Sequence, residues 1–152
     1  MQSRRGFTYL ELIVSMVILA ILASAAIPSS KMITKRKKEA QLRDALFEIR
    51  TAIDSYKRAV DEGLIQRPQL DQYGYPLDFN ELVEGAPLAQ EPSVKIRFLR
   101  RIPVDPMTGE REWGMRSVQD EFDSISWGGQ NLFDVYSASD GTAIDGTEYS
   151  EW

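Results

Sequence analysis

The feature that most limits what this chain can become is residues 7–27, FTYLELIVSMVILAILASAAI, apolar apart from Glu11 and a few small hydroxylated residues. About 21 residues rising about 1.5 Å each make a helix roughly 31 Å long, enough to cross the hydrocarbon core of a bilayer. Lipid offers the backbone no partners, so such a segment must satisfy its own N–H and C=O groups as a helix. An ionised side chain inside it costs about 2.5–3.5 kcal/mol on insertion scales, so Glu11 needs a partner. The residues alone leave three readings open. One is a cleaved secretory signal, with Arg4 and Arg5 as its basic end and Ala23-Ser24-Ala25 as an A-x-A site. Another is an ordinary single-pass anchor. The third turns on Arg4-Arg5-Gly6-Phe7-Thr8-Tyr9-Leu10-Glu11, because a plain signal or anchor would rarely hold a carboxylate there.

Of the 152 residues, about 125 follow the apolar run, enough for one modest domain. Cysteine and histidine are both absent, which removes disulfides, thiol nucleophiles, cysteine-held metals and the commonest general base. The net charge of −5 is unevenly spread: residues 1–60 hold 11 basic and 5 acidic side chains, residues 61–152 hold 7 and 18. A strongly acidic outer portion does not suit nucleic-acid binding. No G-x-x-x-x-G-K-[ST] loop is present, so any ATP hydrolysis must come from a partner. Glu110, Glu112, Asp120, Glu121 and Asp123 read as surface solvation, and the chain is not expected to be an enzyme. Trp113, Trp127 and Trp152 read as aromatic packing around a thin core.

From Phe7 the helix is expected to continue past the apolar run, with a kink or local melting at Pro28. Leu42, Ala45, Leu46, Ile49, Ala52, Ile53, Tyr56 and Val60 recur at spacings of three and four, one apolar stripe against which a sheet should pack. Lys35 to Glu39 and Arg43 read as the solvated side, and Gly63 as the stop. Residues 64–76 read as a loop. Asp78 to Glu84 reads as a short helix with Asp78 as N-cap and Gly85 as terminator, and residues 86–93 as a linker. Strands are expected at Val94 to Leu99, Arg111 to Ser117 and Leu132 to Ser137, with Val118 to Asn131 a long polar loop.

The segment from Arg4 to Pro28 resembles the leader and N-terminal helix of type IV pilins and type II secretion pseudopilins. Tyr9 stands where that family usually has Leu. The later run Ile102-Pro-Val-Asp-Pro-Met-Thr-Gly, then Glu112-Trp113-Gly114, a D-V-Y-S strand, an Asp-Gly loop and a terminal Trp is most similar to the major (G-type) pseudopilin. Type IV pilins more often close their C-terminal loop with a cysteine pair. The resemblance implies an α+β, pilin-like fold: a long N-terminal helix, membrane-spanning in its first half, packed against a small C-terminal antiparallel sheet. It divides the chain into a leader (1–6), a transmembrane and assembly helix (7–27), its amphipathic continuation (28–63) and a periplasmic globular domain (64–152).

The resemblance further implies that a prepilin peptidase cuts between Gly6 and Phe7, that Phe7 is N-methylated, and that Glu11 neutralises the cut amine of a staggered neighbour. Two paired charges cost less in low dielectric than two lone ones, and small residues from Ser15 to Ala26 would let helices approach. The implied product is a pseudopilus subunit of type II secretion; the alternative is a type IV pilin of a surface pilus used for adhesion, twitching or DNA uptake. Implied partners are further copies of itself, minor pseudopilins, an inner-membrane platform with its ATPase, and lipid. Family members bind calcium in a C-terminal acidic loop, where Asp134, Ser137, Asp140 and Asp145 fall here, although Asp-Gly pairs are also ordinary turn signals. One charge pattern disagrees with this orientation. Lys31, Lys35, Arg36, Lys37 and Lys38 outnumber the basic residues before the span, and counting alone would put the C-terminal side in the cytoplasm. The leader motif puts the domain outside.

Overall fold

The computed structural model describes residues 8–152, the side chains of residues 24–30 excepted. Its order is α1 (Tyr9–Asp61), a 3-10 turn (Leu70–Gln72), α2 (Phe79–Glu84), β1 (Ala86–Pro87), β2 (Lys95–Ile96), β3 (Trp113–Arg116), β4 (Asp134–Ser137) and a final 3-10 turn (Tyr149–Glu151). The chain forms two compact units, residues 1–37 and 38–152.

In the first unit, α1 is helical without a break across Pro28, so the local melting expected there does not occur. Proline removes one hydrogen bond and crowds one turn, and the flanking turns carry the helix through. The expected membrane span includes Phe7 and the side chains of residues 24–27, which lie outside the described residues. Among the described residues, no helix is long and apolar enough to cross a membrane.

The second unit is built on the stripe. All eight of its positions from Leu42 to Val60 are buried, with Leu42 and Ile49 fully so. They join one hydrophobic cluster with Ile65, Phe79, Leu82, Leu99, Trp113, Leu132, Val135 and Tyr149. Helix α1 ends in a Schellman turn: Gly63, at φ +68°, donates to the Val60 carbonyl and Leu64 to that of Ala59, which satisfies carbonyls left open by the last turn. Asp78 caps α2 as expected, accepting from the backbone N–H groups of Asn80 and Glu81; Gly85 follows at φ +90°.

The sheet departs from expectation. In place of one small sheet there are two antiparallel ribbons, β1 with β2 and β3 with β4. The first pairs Ala86 with Ile96 and Pro87 with Lys95, so part of the expected linker is a strand, and only two residues of Val94 to Leu99 are. Pro87 ends this two-residue strand, where its missing N–H is tolerated. The second runs Trp113 opposite Ser137 to Arg116 opposite Asp134. Here a side chain on Gly114 would collide with the Tyr136 ring, which lies under the Arg116 guanidinium at 4.2 Å; glycine is what lets that ring cross β3.

Shortening the fully buried Ile49 to alanine should therefore cost about 2–5 kcal/mol of unfolding free energy. Phe47→Ala, two positions away and 73% exposed, should cost less than about 0.5 kcal/mol. Urea denaturation of the two variants checks this, and equal losses would contradict the core as described.

Candidate functional site

The helix start and the C-terminal loop hold the residues singled out by sequence, and each is built differently. At the start of α1 the Thr8 hydroxyl oxygen accepts the Glu11 N–H at 3.2 Å. Thr8 is thus an N-cap, and Thr8-x-x-Glu11 is the spacing of a capping box. A carboxylate in the first turn also complements the helix dipole, worth about 0.3–1 kcal/mol. The Thr8-x-x-Glu11 spacing carries this signal in the sequence, beside the charge that singles Glu11 out. One turn on, Ser15 donates to the Glu11 carbonyl at 2.7 Å, which satisfies a hydroxyl in an otherwise apolar stretch. Among the described residues none bonds or pairs with the Glu11 carboxylate.

Around this start the helix is apolar on every side. Leu12, Ile13 and Val14 are successive positions 100° apart on a helix, and each is 41–52% exposed, as are Val17 and Ile18 at 51–53%. Gly6 and Phe7 lie outside the described residues. Lys31, Arg36, Lys37 and Lys38 are exposed.

The C-terminal loop is held from within by α1. Glu39, read from sequence as solvated, is buried at 7% exposure. Its carboxylate accepts the Ile144 N–H at 2.8 Å and the Tyr149 hydroxyl at 3.0 Å. The sign was present: positions 39, 42, 46, 49 and 53 are in phase, so Glu39 lies on the stripe. Arg50, three turns along, donates through Nε to Asp134 at 2.7 Å and through Nη2 to the carbonyls of Val135 at 3.0 Å and Trp152 at 2.7 Å. Arg116 lies 4.0 Å from the other Asp134 oxygen and donates to the Ser124 and Ser150 carbonyls. Asp105, fully buried, accepts from Ser137 Oγ at 2.6 Å and from the Met107 N–H at 2.7 Å, so the Pro-Val-Asp-Pro turn is tied to β4.

Asp134, Asp140 and Asp145 are not brought together. Among the described residues no three Asp, Glu, His or Cys side chains form a group able to hold a metal ion. Asp134 faces the two arginines, Asp140 is exposed, and Asp145 accepts the hydroxyl and N–H of Thr147 at 2.7 and 3.0 Å. Those bonds, led by the hydroxyl and helped by Arg43, hold the Asp145 carboxyl below its ordinary value. The donor set therefore does not fit a calcium ion, which takes six to eight oxygens.

Residues 1–27 match the family described as "Prokaryotic N-terminal methylation motif". Over its whole length the chain is similar to proteins named "Type II secretion system core protein G". That of Klebsiella pneumoniae is 28% identical, with 100% of this chain and 96% of the relative covered. That of Klebsiella michiganensis is 27% identical, covering 99% and 94%, and that of Escherichia coli (strain K12) is 28% identical, covering 98% and 91%. No solved structure matches the chain.

Burial, then the hydrogen bond and charge of Glu39, push the Tyr149 phenol up to about 12 from its ordinary 10.0. Its proton is held more tightly folded than unfolded. The stability this adds is complete below pH 10.0 and lost as the pH rises through about 12. Ultraviolet titration should show a late-ionising tyrosine that disappears in Tyr149→Phe and ionises earlier in Glu39→Gln. An unchanged titration in both variants would contradict the Glu39 contact.

Proposed function

We infer that this chain is a type II secretion counterpart of the core protein G subunits it resembles, a structural subunit that polymerises through the first part of α1. The observation that carries this is the pairing of a methylation motif over residues 1–27 with similarity to core protein G over essentially the entire chain. The exposed apolar surface of α1 supplies the physical reason. A helix apolar on all sides is stable only where lipid or other helices cover it. In the proposed cycle, residues 7–27 sit in the inner membrane as a single span and then pass into the centre of a filament. Residues 64–152 lie in the periplasm, and growth of the filament drives protein export.

Processing belongs to the same reading. A prepilin peptidase removes residues 1–6 between Gly6 and Phe7, and Phe7 is N-methylated. The new amine is cationic, and the Glu11 carboxylate of a neighbour neutralises it, which favours one axial stagger. The Thr8 cap is compatible with this, because it engages the Glu11 backbone N–H and leaves the side chain for a partner. The work is assembly rather than catalysis. Minor pseudopilins, the inner-membrane platform and its ATPase are the further proposed partners.

Glu11→Ala should leave membrane insertion and processing intact and abolish filaments on overexpression, while Thr8→Ala should only weaken helix initiation. Electron microscopy of sheared filaments with immunoblotting of the processed form checks this. Normal filaments from Glu11→Ala would contradict the pairing. In a deletion strain, lost exoprotein secretion supports the reading. Lost surface pili with intact secretion would instead support a type IV pilin.

A further inference from the structure

We propose that the C-terminal segment of the globular unit, residues 138–152, is closed without a metal ion, by Glu39, Arg50 and Arg116. All three residues belong to the globular unit, whether or not the chain assembles.

A calcium ion organises a loop by drawing several carboxylates and carbonyls to one point. In this chain Asp134 and Asp145 are already engaged, while Asp140 is exposed. The Asp134 carboxylate meets Arg50 with both oxygens, at 2.7 and 3.4 Å, with Arg116 at 4.0 Å from the second. A cation placed there would sit beside two guanidinium charges, and would gain Asp134 only by breaking a charge-assisted pair. The Val135, Ser150 and Trp152 carbonyls face the same two arginines. Arginine, permanently charged and with five donors in a fixed plane, collects several carbonyls and a carboxylate at once.

The segment's donors are collected in the opposite sense. Glu39, reaching from α1, takes the Ile144 N–H and the Tyr149 hydroxyl on one oxygen. The turn itself is closed by Ala143 donating to the Thr147 carbonyl at 2.7 Å and Tyr149 to that of Gly141 at 3.1 Å. Ala143 and Tyr149 are buried beneath it. Asp145 bonds Thr147 within the turn. A buried anion gathers the N–H and O–H groups and two cations gather the C=O and carboxylate groups, so the segment is held from α1 and β3.

The test uses the full chain in detergent micelles, melted by near-ultraviolet circular dichroism with either millimolar calcium chloride or EGTA. The expected result is the same melting temperature in both. Glu39→Gln and Arg50→Gln should each melt several degrees lower, with faster proteolytic nicking within residues 138–152, and calcium should rescue neither. A site of submillimolar affinity would raise the melting temperature by several degrees at these concentrations. Such a rise, abolished by Asp140→Asn or Asp145→Asn, would overturn the proposal. Wild-type melting and proteolysis of both Glu39→Gln and Arg50→Gln would overturn it as well.

Discussion

Burial of one helical stripe is the interaction on which the second unit depends. Its strands are two to four residues long, and two-stranded ribbons that short are not stable by themselves in water. They persist because Leu42, Ile49, Ile53 and Tyr56 give them a common surface. The same helix also supplies the polar ties. Besides Glu39 and Arg50, Tyr56 donates to Glu81 at 2.9 Å and its ring meets Phe98 edge-on. Burial and the Glu81 charge raise the phenol well above its ordinary value, so the phenol keeps the proton it donates. Helix α1 thus presents an apolar stripe bordered by groups that pin α2, the β3–β4 ribbon and the C-terminal segment.

What could be read beforehand follows the range of the interactions involved. The stripe, the Asp78 cap and the Gly63 stop are local patterns, set by residues within a turn or two of each other, and all three stand in the structure. The ribbons were harder. A two-residue strand carries no alternation, and Pro87 argued against one. The Arg50–Asp134 tie joins residues 84 apart, and no spacing announces it. Glu39 is the instructive failure: its charge suggested solvent, whereas its phase placed it on the buried face.

The candidate site divides the same way. The leader reading rested on a dense local run, Arg4 to Glu11, and the match over residues 1–27 supports it. The calcium reading rested on carboxylates scattered along a loop, and their directions depend on which long-range partners they meet. Asp134 met two arginines, and Asp145 met its own Thr147. Charge sign gave no account of the first outcome, whereas the second is the local turn that the Asp-Gly pair signals.

The start of α1 poses the physical question that the proposed function answers: what covers turns that are apolar all round and carry one acid? A processed filament subunit answers it with lipid before assembly and sister helices after. The most direct measurement is mass spectrometry of the N-terminal peptide of the native, membrane-extracted protein. The account predicts that it begins at Phe7 with one methyl group on its amine. A product that keeps Met1 to Gly6, or one that begins near Ile27, would contradict it.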